Sequence, residues 1–172
     1  MSHRFLTVSE LAAVVADRQF GDDPDTVHRQ IRHWTTLGAL APSGARFTGT
    51  GHARVYPSET AYRAALLVRL AAHGLSISGL KAVSDTLDSK ILPDPEYHRL
   101  WQAAIGGSEP VDFGYRVLYY PGSTEVYQGA AFLLPRDGEL PPGQPRIWAL
   151  PTTWLDLTDL FGRVTKRLSR AG

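Results

Sequence analysis

From Thr26 to Ser58 the chain carries Arg29, Arg32, Arg46 and Arg54 together with His28, His33 and His52, and not one Asp or Glu. Guanidinium groups pair with phosphates and guanine edges through two parallel N–H donors. A basic run without acids suits a polyanionic partner. On charge alone a solvated surface that happens to lack acids is the equal alternative. Two subsets matter. Arg29, Arg32, His33 and Thr36 fall away from an apolar stripe of the helix that carries them. Arg46, Thr48, Thr50, His52, Arg54 and Tyr56 lie in and beside a Gly-containing turn, whose tip offers side-chain and backbone donors to phosphates.

Other chemistries find little support. The carboxylates show no telling spacing, and Ser, His and Asp occur without a nucleophile-elbow motif. His28 and His33 are five apart and do not share a helix face. A metal site that added His52 would sit on the same basic surface. The chain has no Cys, which excludes disulfides, thiolate metal sensing and Cys catalysis. The Gly49–Gly51 turn is not a P-loop, because no Gly-Lys-Ser/Thr follows it. The expectation is a protein that is not an enzyme and uses neither cofactor nor metal.

These residues need elements to hold them. Thr7-Val8-Ser9-Glu10 fits a capping box and opens a short helix with Val8, Leu11, Ala12 and Val15 on one face. Gly21-Asp22-Asp23-Pro24 breaks it. Asp23 reads as an N-cap with Pro24 at the first helical position. The second helix runs to about Leu37 and stops at Gly38. Val27, Ile31, Trp34 and Leu37 form its apolar stripe, and its other face is free to lie in a major groove. Ala45–Tyr56 reads as two short strands around the turn, with Phe47 and Val55 inward and Arg46 and Arg54 outward. A β-hairpin directly after a recognition helix is a wing. Ser58 caps a third helix that ends at Gly74, and Ser76 begins a fourth carrying Leu80, Val83 and Leu87. Pro93 and Pro95 then interrupt the chain.

The pieces occur in an order that resembles the DNA-binding domain of the MerR family of bacterial transcription regulators. Leu6-Thr7-Val8-Ser9-Glu10-Leu11-Ala12 resembles the family's opening helix. Ile31-Arg32-His33-Trp34, then Leu37-Gly38-Ala39-Leu40 and Pro42, resembles its recognition helix and exit. Arg54-Val55-Tyr56 matches the closing Arg-x-Tyr of the wing. Leu70, His73-Gly74-Leu75-Ser76-Ile77 and Leu80-Lys81 resemble the helix pair that follows. The resemblance implies that Arg32 reads or braces DNA and that His33 stands in for a phosphate-contacting Tyr. It implies that Arg54 and Tyr56 support the wing. Trp34 reads as core, Tyr56 can also simply pack beneath the wing, and Arg63 and Arg69 read as solvated. The segment Arg18–Asp25 is longer than the family's usual turn, Thr35 replaces a common Glu, and Pro93 and Pro95 block the long helix by which members usually dimerise.

The fold expected is α+β. A winged helix-turn-helix of four helices and a β-hairpin wing fills residues 1–92. A small α+β region over 93–172, for dimerisation or an effector, ends in an amphipathic helix. The two parts differ in charge. Residues 1–81 carry nine Lys or Arg against six Asp or Glu, and 82–172 nine against eleven. Asp94-Pro95 opens a helix to about Ile105. Strands are expected at Tyr115–Tyr120, Glu125–Leu134 and Arg146–Leu150, and a last helix at about Thr153–Ser169, with Leu157, Leu160, Phe161, Val164 and Leu168 on one face. Eleven of the seventeen aromatics lie between Tyr97 and Phe161. Trp101, Tyr119, Tyr127 and Trp148 can line a ligand pocket. The favoured alternative is that such residues fill a core or a subunit interface.

The function expected is a sequence-specific transcriptional regulator. It would act as a homodimer on an inverted repeat of double-stranded DNA, with RNA polymerase as a further partner. Two alternatives stand beside it: an architectural factor of the excisionase or recombination-directionality kind, and a protein–protein adaptor working through the aromatic half. No apolar run approaches the about 20 residues that span a bilayer. Met-Ser-His-Arg leads into no apolar stretch of signal-peptide type. The expected location is cytoplasmic, with the nucleoid.

Overall fold

The computed structural model describes residues 4–44, 53–119, 127–136 and 152–170. They fall into two compact units. The first comprises residues 1–81 with 163–172, and the second residues 82–162.

In the first unit, strand β1 (Phe5–Thr7) leads into helix α1 (Val8–Val15) through the expected capping box. Glu10 Oε2 accepts from the Thr7 backbone N–H at 2.7 Å, and the Glu10 N–H returns to Thr7 Oγ1 at 3.3 Å. That exchange satisfies two backbone donors a helix start leaves open. Leu11, Ala12, Val14 and Val15 are buried. Helix α2 (Pro24–Leu37) is capped by Asp23, whose carboxylate accepts from the N–H groups of Asp25 and Thr26. It closes at Gly38, which takes φ +80°, while Ala39 N–H returns to the Trp34 carbonyl at 2.8 Å. A left-handed residue there is what this closure needs.

Strand β2 (Val55–Pro57) pairs antiparallel with β1, placing Leu6 opposite Tyr56. Both are fully buried, so Tyr56 is the inward residue of this strand, and Val55 stays half-exposed. The expectation for Val55 is thus off by one position, which in a strand means the other face. Phe47 lies outside the described residues. Helix α3 (Thr60–Ala72) carries no side-chain cap. Ser58 contributes its carbonyl to Ala61 N–H at 3.0 Å instead of its hydroxyl. Helix α4 (Ile77–Thr86) begins after Ser76, as expected, and the Ser76 Oγ accepts from Gly79 N–H at 3.2 Å. One turn of π-helix, Leu87–Ile91, extends α4, whose residues from Ala82 on belong to the second unit. Leu80, Val83 and Leu87 are all buried.

In the second unit, helix α5 (Pro95–Gly106) starts at the Asp94 cap. A three-stranded antiparallel sheet in the order β4-β3-β5 follows, built from β3 (Val111–Tyr119), β4 (Tyr127–Pro135) and β5 (Thr152–Asp156). Strand β3 begins four residues before the expected Tyr115, because Val111, Phe113 and Tyr115 alternate inward and all are buried. The expected strand at Arg146–Leu150 lies outside the described residues. Helix α6 (Leu157–Arg170) opens later than the expected Thr153. Residues 152–156, which include two β-branched Thr and a Trp, pair with β3 as their β-propensity favours. Asp156 then accepts from Asp159 N–H at 2.9 Å at the helix start. Arg136 pairs with Asp112 at 3.0 Å and with Asp156, joining all three strands.

Candidate nucleic-acid interface

Helix α2 supplies the candidate surface. Val27, Ile31, Trp34 and Thr35 are buried on one side. Arg29, Arg32, His33 and Thr36 are all exposed, at helical positions that share one face. The structure therefore brings these four expected contact residues together. Two hydrogen bonds lay side chains along the helix: Arg29 Nη2 donates to Thr26 Oγ1 at 3.1 Å, and Thr36 Oγ1 donates to the Arg32 carbonyl at 3.1 Å. Leu37, expected in the apolar stripe, is 37% exposed. Thr35, one turn beyond Ile31, takes the buried position in its place.

The buried Thr35 touches strand β2. Thr35 Oγ1 donates to the Ile31 carbonyl at 2.8 Å. It lies 2.7 Å from the Tyr56 hydroxyl. A hydroxyl has one hydrogen, and a carbonyl can only accept, so Tyr56 is the donor in the second bond. Tyr56 thereby ties β2 to the buried side of α2. Being fully buried, it offers no surface for a direct contact, which corrects its place among the expected DNA-contacting residues.

Ser43 and Val55, on either side of residues 45–52, form an antiparallel bridge, with Ser43 N–H donating to the Val55 carbonyl at 2.7 Å. Arg54, next to it, is half-buried. Arg46, Thr48, Thr50 and His52 lie outside the described residues.

The turn between α1 and α2 holds side chains whose partners sequence reasoning missed. Residues Arg18–Phe20 form a short 3₁₀ turn that ends at Gly21 in a left-handed conformation, φ +78°. Asp22 Oδ2 accepts from Asp17 N–H at 2.8 Å and pairs with Arg69. Arg69, read from sequence as solvated, is buried, with its guanidinium 4.7 Å from the Phe20 ring centroid. The extra length of this segment is thus pinned to α3 by an ion pair and a cation–π contact. Asp17 is buried and meets two cations of α6. Arg167 Nη2 is 2.7 Å from its Oδ2, and Arg163 Nη1 is 3.6 Å away. Burial alone would push the Asp17 carboxyl pKa up. The Arg167 hydrogen bond, the Gln19 N–H and the charges of Arg167 and Arg163 outweigh it, and the group is held below the ordinary carboxylate value.

In the second unit Trp101 is buried, its ring edge-on to Phe161 with centroids 4.9 Å apart. It fills the core, as the alternative reading of the aromatics has it. Tyr119 and Tyr127 face each other as backbone partners at one end of the β3–β4 ladder, and Trp148 lies outside the described residues. Among the described residues no group of His, Asp and Glu is arranged to hold a metal ion. No helix among them is long and apolar enough to cross a membrane.

Residues 25–87 match the family model described as MerR HTH family regulatory protein. The N-terminal half carries a MerR-like helix-turn-helix. The match begins in the first turn of α2 and runs through β2, α3 and α4, so it contains the exposed basic face and the buried Thr35–Tyr56 contact behind it. A MerR-like domain is a DNA-binding regulatory domain, not a typical enzyme fold. No curated protein matches the chain.

Proposed function

We propose that the protein is a sequence-specific DNA-binding transcriptional regulator. The supporting observation is the single exposed face of α2 that carries Arg29, Arg32, His33 and Thr36, set within a MerR-like domain. In this reading α2 lies in the major groove, where a guanidinium can bond a guanine edge through two donors. The wing, from Arg46 through Thr48, Thr50 and His52 to Arg54, follows the phosphate backbone beside it. One recognition helix covers only a few base pairs, so a homodimer on an inverted repeat supplies the length a specific site needs.

The test is a pair of alanine variants. Arg32→Ala is expected to weaken binding to a selected duplex roughly 5- to 150-fold, the equivalent of losing a two-donor base contact. Arg54→Ala is expected to weaken binding to all duplexes alike and to lower its salt dependence. Both variants should melt like wild type. Sites selected from genomic fragments should show twofold symmetry. If both variants bind duplex DNA as wild type does, the proposal fails.

A further inference from the structure

Beside the helix-turn-helix, and wholly within the first unit, lies a concavity of about 530 Å³. One wall is the end of α1 and the turn after it, with Ala13, Ala16, Asp17 and Arg18. The other is the last turns of α6, with Arg163, Lys166, Arg167 and Arg170. Pro24, the first residue of the recognition helix, is at its edge. A second concavity of about 260 Å³ shares Ala13, Arg167 and Arg170 and adds Arg4 and Glu10. Neither acid leaves the site negative. Asp17 is committed to Arg167 and Arg163. Glu10 stays ionised, hydrogen-bonded by the Thr7 N–H and hydroxyl, and Arg4 in the same concavity offsets its charge. Arg18 on one wall and Lys166 and Arg170 on the other are exposed and add three further positive charges to the concavity.

We infer that this groove binds phosphates of the DNA backbone flanking the bases that α2 reads, with Arg18, Lys166 and Arg170 as the contacting residues. The inference rests on the DNA-binding reading above and extends its footprint. Charge and shape select the ligand class. Five cations around one paired carboxylate call for an anion of several charges. The residues that line it, which include Asp17 and Gln19 beside Ala, Pro and the long cations, contain no aromatic and no large aliphatic side chain, and the neighbouring Phe20 ring already carries the guanidiniums of Arg69 and Arg163, so a base or small ring finds neither a platform nor an apolar floor among them. An open basic groove of that kind follows a polymer's backbone. The position at the first residue of α2 places it next to the helix that enters the DNA. Arg163 and Arg167 take the structural part, since their charge is spent on Asp17, and they fix the turns of α6 that carry Lys166 and Arg170.

The experiment compares wild type, Arg32→Ala and the triple variant Arg18→Ala/Lys166→Ala/Arg170→Ala by fluorescence anisotropy. Two duplexes carry the sequence that wild type selects from random DNA. One is trimmed to the selected bases, and the other is extended by about one helical turn (about 10 bp) on each side. The triple variant should bind the trimmed duplex like wild type. On the extended one it should lose about tenfold or more, with the slope of log K against log salt reduced by about 2 to 3. Its melting temperature should match wild type, since all three side chains are exposed. If the triple variant binds both duplexes like wild type while Arg32→Ala is weakened on both, the groove is overturned and the recognition helix stands. If Arg32→Ala is unaffected and the triple variant is weakened on the extended duplex, the groove stands and the recognition-helix reading falls. An equal loss on both duplexes, which general loss of charge would give, overturns the groove. So does tight binding of inorganic tripolyphosphate that the triple variant loses, with no effect of duplex length.

Discussion

The hydroxyl of Thr35 and the phenol of Tyr56 meet 21 positions apart in the chain, behind the basic face of α2. The sequence marks both residues, one as a departure from the family pattern and one as part of the Arg-x-Tyr at the wing, but it does not join them. Periodicity reports which side of an element is buried and is silent on which buried residues touch across elements. The exposed set of Arg29, Arg32, His33 and Thr36 was legible because it needs only the helical repeat. The Thr35–Tyr56 bond is measurable on its own. Tyr56→Phe removes the donor, while Thr35 keeps its own hydrogen bond to the Ile31 carbonyl. The expected cost is about 0.5–1.5 kcal/mol in urea denaturation. Thr35→Val in the Tyr56→Phe background should add less than it does in wild type, because the pair no longer interacts. A fully additive double variant would show that the two hydroxyls are not coupled.

At the scale of elements, starts and stops were the most legible features. Thr7, Asp23 and Asp94 each cap the helix expected of them, and Gly38 ends α2, because caps are local chemistry written within four residues. Strand β5 was not legible, since Thr152–Asp156 reads equally as the lead-in to α6 until β3 is there to pair with it. The turn between α1 and α2 was visible only as extra length. Its order comes from Asp17, Asp22, Phe20 and Arg69, and from α6, distant in sequence. Asp17 gives this turn a pH signature. Its folded-state pKa is lowered, so it contributes stability that is fully present above the unfolded-state value, about 3.9, and is lost as pH falls through the folded-state value. Asp17→Asn should therefore be less stable than wild type at neutral pH. The gap between the two should narrow on acidification from about pH 4 downward, as wild type loses the same charge. Urea midpoints measured across that range provide the check. A gap that stays constant into the acid range would show that Asp17 acts through shape rather than charge.

For the whole molecule the chain's last residues matter most. Composition and the two prolines suggest a helix-turn-helix followed by a separate region, and the basic end of α6 is explained locally by the helix dipole. In the structure Arg163–Gly172 belong to the first unit, with residues 1–81. Besides the Asp17 pairs, Arg167 Nη1 donates to the Val14 carbonyl at 3.3 Å, Arg4 Nη1 to the Leu168 carbonyl at 3.3 Å, and the hydroxyls of Tyr62 and Thr165 lie 3.0 Å apart. These contacts reach α1, α3 and Arg4, the residue before β1, and α1 in turn packs on α2. A DNA-binding domain completed by the far end of its own chain should not behave as an independent N-terminal fragment. A fragment of residues 1–92 loses both cations of Asp17 together with the α6 contacts to α1 and α3. Domains of this size have only about 5–15 kcal/mol of stability in total. The fragment should thus melt well below the full chain and bind duplex DNA more weakly. Adding Asp17→Ala to the fragment, which removes the orphaned charge, should restore part of the lost stability. A fragment that melts and binds like the full chain would show that α6 is a passenger on the helix-turn-helix rather than one of its supports.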